Sequence, residues 1–138
     1  MVGHVTRAGA LAAAVGITAA CASTAGLRSA PLDAGETKFY SQPLAVVGPA
    51  ARQAVLSVGL NVDTVSTPDS LTWMIIAKKG MSLFSYGELV RVVVAQTPDR
   101  AVAVRVYTKR RLATNITAQG DWSAPIFRQL DLLLAEHE

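Results

Sequence analysis

Residues 86–109 read YGELVRVVVAQTPDRAVAVRVYTK, and how this stretch folds decides the architecture. Side chains alternate between the two faces of a strand with period two. Val90, Val92 and Val94 therefore share one face of a strand predicted over Tyr86 to Ala95. Val102, Val104 and Val106 share one face of a second, over Ala101 to Lys109. Gln96 to Arg100 between them contains Pro98-Asp99, a turn signal, so the two strands pair as neighbours. Arg91 and Arg105 alternate onto the opposite face, which makes the six valines the side that meets a core. That opposite face is itself apolar in part, because it also carries Leu89, Val93, Ala101, Ala103 and Tyr107.

Two further strands are expected upstream. Leu60 to Ser66 is closed by Thr67-Pro68-Asp69-Ser70, and Leu71 to Lys78 follows. In the latter, Leu71, Trp73, Ile75 and Ala77 alternate with Thr72, Met74, Ile76 and Lys78. Before them, Ala51, Ala54, Val55 and Val58 recur at helical spacing, so a helix is expected over Pro49 to Val58. Pro49 suits its first position, and Gly59 the residue just past its end. Lys38 to Gln42 reads as a short extended lead-in stopped by Pro43. At the other terminus, Ile126, Leu130, Leu133 and Leu134 form the buried stripe of a helix over Ser123 to Glu136, capped by Asp121 or Ser123. The expected fold class is α+β: a two-layer domain in which a four-stranded antiparallel meander is flanked by an N-terminal and a C-terminal helix on one face.

The N-terminal segment has a different character. Ala8 to Ala20 is an uncharged run of Ala, Gly, Val, Leu, Ile and Thr preceded by Arg7. This is the make-up of an export leader, and it falls short of the about 20 apolar residues that span a bilayer as helix. The run ends Ile17-Thr18-Ala19-Ala20-Cys21, which resembles a bacterial lipobox, although Thr18 stands where an aliphatic residue is usual. The resemblance implies acylation of the Cys21 thiol and removal of residues 1–20. The organisation expected is a leader over 1–20, a tether over 21–37 and a domain over 38–138. Cleavage after Ala22, giving a soluble secreted protein, is the alternative. Ala22 is not the Asp of inner-membrane retention, so the resemblance favours the periplasmic side of the outer membrane if the host has one. The helix, four-strand meander, helix order over residues 38–136 in such a protein is similar to the small helix-grip domains of envelope lipoproteins of the BamC type. What that implies is contact with other envelope proteins, with no residue role carried over besides Cys21.

The chain has 138 residues, of which 51% are hydrophobic and 17% charged, so it is too apolar to be a disordered chain. Its net charge of +3 is mildly basic, which does not argue for nucleic acid. One cysteine excludes an internal disulfide, and His4 and His137 near the two ends make a structural metal site or a histidine-based catalytic centre a poor reading. Asp63, Asp69, Asp99 and Asp121 fall at strand edges, turns and caps, where Asp serves local hydrogen bonding. Neither an enzyme nor a cofactor is expected. Trp73 and Trp122 read as packing residues, and the sequon at Asn115 as a chance match. The candidate partner-binding face is the second side of the sheet, with Leu89, Arg91, Val93, Ala103, Arg105 and Tyr107. The alternative is that residues 110–121 or the tether cover it. The functional expectation is a non-catalytic interaction or scaffolding module, held on membrane lipid by its acyl anchor and facing an envelope protein partner. The alternative is a periplasmic carrier or sensor of a small apolar ligand, in a cavity lined by Trp73, Met74 or Phe84.

Overall fold

The computed structural model describes residues 23–80, 87–110 and 120–137. Among them, three helices and five strands follow in the order α1 (Thr24–Arg28), β1 (Glu36–Tyr40), α2 (Leu44–Ser57), β2 (Asn61–Asp69), β3 (Thr72–Lys79), β4 (Glu88–Gln96), β5 (Val102–Arg110) and α3 (Ser123–Ala135). All pairings are antiparallel, and the sheet order is β1-β5-β4-β3-β2. The α+β class is as expected, but the sheet has a fifth strand. The segment taken for an extended lead-in is β1, which pairs with β5 from Glu36↔Val106 to Tyr40↔Val102. A meander of four strands leaves the outer edge of β5 open, and β1 satisfies those backbone groups.

The valine face is the core face. Val90, Val92 and Val94 of β4 and Val102, Val104 and Val106 of β5 are buried with Ala51, Ala54 and Val55 of α2 and Ile126, Leu130 and Leu134 of α3. α2 begins earlier than its alanine spacing suggests. Pro43 is its N-cap, and its carbonyl accepts from Val46 and Val47 N–H, each at 2.9 Å. Pro49 consequently stands inside the helix, where it removes one backbone hydrogen bond. Burial of Val47 and Gly48 in the first turns offsets that loss, and it is why the helix extends back past the proline. At the other end Gly59, at φ 85°, turns the chain. Gly59 N–H donates to Leu56 O at 3.0 Å and Leu60 N–H to Val55 O at 3.3 Å, the paired bonds of a Schellman cap.

β2 also runs further than expected, to Asp69, with Pro68 inside it. The strand pairs only with β3, so a missing N–H on its outer side breaks no ladder bond, and register shifts follow Val62 and Ser66. The β4–β5 hairpin closes through Thr97 N–H to Ala101 O at 2.8 Å, with Arg100 at φ 66°.

β1 is tied to α3 through one carboxylate. Asp131 accepts from Lys38 Nζ at 2.6 Å and from the Tyr40 hydroxyl at 3.0 Å. Burial first, then the Asp131 hydrogen bond and charge, push the Tyr40 hydroxyl well above its ordinary value. Its folded pKa exceeds the unfolded one, so this stabilisation is complete below about pH 10 and is lost as pH climbs toward the folded value. The denaturation midpoint of the native chain is expected to fall with pH above about 10 more steeply than that of Tyr40→Phe. Parallel slopes in urea titrations of the two proteins would contradict this.

Candidate interaction surface

On the second face of the sheet lies a strap formed by residues 23–34. Ser23 caps α1, its Oγ accepting from Gly26 N–H at 3.1 Å. Leu27 is the one residue of α1 that is buried, and it packs with Met74, Ile76, Leu89 and Val93. Beside it Arg91 rises from β4, 1% exposed. Its Nη1 donates to the carbonyls of Leu27 at 3.1 Å and Ala30 at 2.7 Å, and its Nη2 to that of Pro31 at 2.6 Å. The last carbonyls of any helix lack intrahelical partners, and a planar guanidinium reaches several at once. The ring of Tyr107, directly across the ladder, lies 5.5 Å from the guanidinium carbon. Burial draws the Arg91 pKa down, with Tyr107 acting in the opposite sense. At the far side Arg28 Nη2 donates to Thr64 Oγ1 of β2 at 2.9 Å, so the strap spans the sheet from β5 to the β2 edge.

This corrects two expectations. Residues 23–34 do not hang free as a tether. Four of the six side chains assigned to a partner-binding face, namely Leu89, Arg91, Val93 and Ala103, are buried within this chain, and only Arg105 and Tyr107 retain partial exposure. The physical reason is that one buried leucine and one arginine fork suffice to hold a segment with no hydrophobic period. Cys21, together with Phe84 and Asn115, lies outside the described residues.

At the other end of this face Ala103, Val93 and Met74 are buried, while Phe39 is exposed and Arg105, Ala95 and Thr72 are half-buried. There the register places Phe39, Ala103, Ala95 and Thr72 in one row across four strands, with Thr37, Arg105, Val93 and Met74 in the row beside it. Phe39 is 62% exposed on the edge strand. It was missed because residues 38–42 were not read as a strand. The signal was present: Thr37 and Phe39 alternate with Lys38 and Tyr40, whose side chains meet α3.

The core face holds its own polar lock. Glu88 is buried and accepts from Trp122 Nε1 at 2.6 Å and from Gly120 N–H at 3.2 Å, which ties the start of α3 to β4. Trp73 packs flat on Gly48 of α2, where a Cβ would stand 2.9 Å from the ring. Trp73 thus lies on the helix side and Met74 on the strap side, so the two do not line one ligand cavity. A separate apolar groove of about 330 Å³ runs between α2 and α3, lined by Ala45, Val46, Pro49, Ala50, Leu133 and His137 with Gln53.

Among the described residues no three His, Cys, Asp or Glu side chains group as a metal site, and no helix is long and apolar enough to cross a membrane. Neither a protein-family model nor a curated protein matches this sequence.

Proposed function

We propose that this protein is a lipid-anchored, non-catalytic interaction module of the bacterial cell envelope, and that it meets its protein partner through exposed Phe39 and the half-buried side chains beside it on the second sheet face. The observation that carries the reading is Phe39. A phenylalanine 62% exposed beside the half-buried Arg105, on a strand that is the edge of the sheet among the described residues, has the aromatic and arginine character of an interface anchor. The anchoring part rests on the leader that ends at Cys21. Each acyl methylene buried in lipid contributes roughly 0.8 kcal/mol, so two or more chains hold the domain at a membrane durably. The strand order, with the first strand beside the last and both long helices on one face, supports the likeness to helix-grip domains.

A second reading, carriage of a small apolar ligand, draws on the groove between α2 and α3. The two separate by photo-crosslinking in cells. A crosslinking residue in place of Phe39 is expected to give a discrete protein adduct, and one in place of Leu132, exposed on α3, is not. Absence of an adduct at Phe39, with an apolar compound co-purifying, would favour the second reading. Cys21→Ser is expected to release the protein from the membrane fraction. Retention there at the same level overturns the anchoring.

A further inference from the structure

We infer that the strap-covered end of the second sheet face docks on anionic phospholipid headgroups, an inference that rests on Cys21 being acylated. Only Ala22 separates Cys21 from Ser23, whose side chain caps α1. Two residues of fully extended chain reach about 7 Å. An acylated Cys21 therefore holds α1 at headgroup depth. Because Leu27 and Arg91 clamp α1 to the sheet, the sheet end beneath it is held there too.

The charged side chains near α1 are mostly cations. Lys109 Nζ lies 4.0 Å from where a Cβ on Gly26 would stand. Lys78 occupies the same row of the same face, through Lys78↔Leu89↔Lys109, and Arg28 is exposed at the end of α1. Lys79 lies at the same strand end but on the helix face, in register with Glu88 and with its Nζ near Gly59. The carboxylates close by are Asp63, bonded to Lys78 at 2.9 Å, and Asp33 further along the strap. Lys78 and Arg28 hold Asp63 below its ordinary pKa, so it stays ionised and offsets one cation. Glu88 belongs to the other face and is occupied by Trp122. Leu32, 55% exposed on the strap, adds an apolar contact. Positive charge thus collects where the anchor emerges, while Phe39, proposed to meet the protein partner, lies at the far end of the strands.

The test uses the mature protein from membranes, reconstituted into vesicles of phosphatidylcholine alone or of phosphatidylcholine with phosphatidylglycerol. Labelling by an amine-reactive reagent is followed residue by residue, with Lys38 as the internal reference. On the anionic vesicles Lys78 and Lys109 are expected to label roughly fivefold more slowly relative to Lys38, as suits about one screened contact per residue. High salt is expected to reverse the effect. In the Arg28→Gln, Lys109→Gln double variant the slowing at Lys78 is expected to shrink. Equal labelling on the two vesicles, from protein whose intact mass shows the acyl chains, overturns the docking alone. An unacylated mass overturns the anchoring and the docking with it.

Discussion

Arg91→Met is expected to loosen the strap by about 3 kcal/mol, the scale of breaking charge-assisted hydrogen bonds to a buried group. The sign needs argument, because exchanging a buried charge for an apolar side chain of similar volume is often neutral. Here the desolvation of the guanidinium is indeed recovered, and its Nε, which lacks a partner among the described residues, ceases to cost anything. The Ala30 carbonyl stays behind with no other donor among the described residues, however, while those of Leu27 and Pro31 keep only the backbone N–H groups of Ala30 at 3.4 Å and Ala34 at 3.0 Å. They regain hydrogen bonds by lifting into water, and lifting uncovers Leu27, Met74 and Ile76. The loss should therefore be local. Trypsin cleavage after Arg28 is expected to quicken on the order of a hundredfold, because cleavage follows the population of the open strap. Global denaturation should move much less. Arg91→Lys is expected to fall between, since one ammonium does not span carbonyls spread over residues 27–31 as a planar fork does. Unchanged cleavage in Arg91→Met would show that the strap is held by something else.

The contrast between the two sheet faces explains what the amino-acid sequence made legible. The valines of β4 and β5 repeat with period two over long strands, and the leucines of α3 with helical period, so hairpin, core face and covering helix follow from local pattern. β1 was harder to read. It is five residues long, and its pairing with β5 joins residues 36–40 to 102–106, a long-range partnership with no local trace. The strap is a stronger case. Its single buried apolar side chain, Leu27, has no periodic companions, and the donor that orders it lies in β4. Arg91 was visible as an arginine among valines, and placing it on the second face was right. Nothing in that pattern tells whether a cation there meets a foreign carboxylate or the chain's own carbonyls. The position of Pro49 misled for a related reason, since a proline opens a helix more often than it sits within one, and here packing around Val47 and Gly48 prevails over that preference.

Gly35→Ala is expected to destabilise the protein by roughly 3 kcal/mol or more, combining backbone strain with overlap that cannot be relieved. Gly35 is the residue where the strap descends into β1, and its φ is 98°, a conformation that L side chains rarely adopt. A Cβ there would overlap the carbonyl oxygen of Val106, and would stand 2.7 Å from its carbon and 2.9 Å from the Cα of Tyr107. These are backbone atoms of β5, held by ladders to β1 and β4, so no rotamer change makes room. Withdrawal of residue 35 would break the Glu36↔Val106 pair and peel β1 from its start. Gly26, in the same strap, is the control. It is helical, and an added Cβ would meet Ser23 Oγ at 3.6 Å and Lys109 Nζ at 4.0 Å, ordinary contact distances. Gly26→Ala is therefore expected to be neutral or to stabilise by about 0.5 kcal/mol, through the lower backbone entropy of alanine. Denaturation midpoints of the two variants, measured side by side, should move in opposite directions or by very different amounts. Similar small shifts in both would mean that residue 35 is not pressed against β5, and that the strap does not pass over the β1–β5 ladder as described.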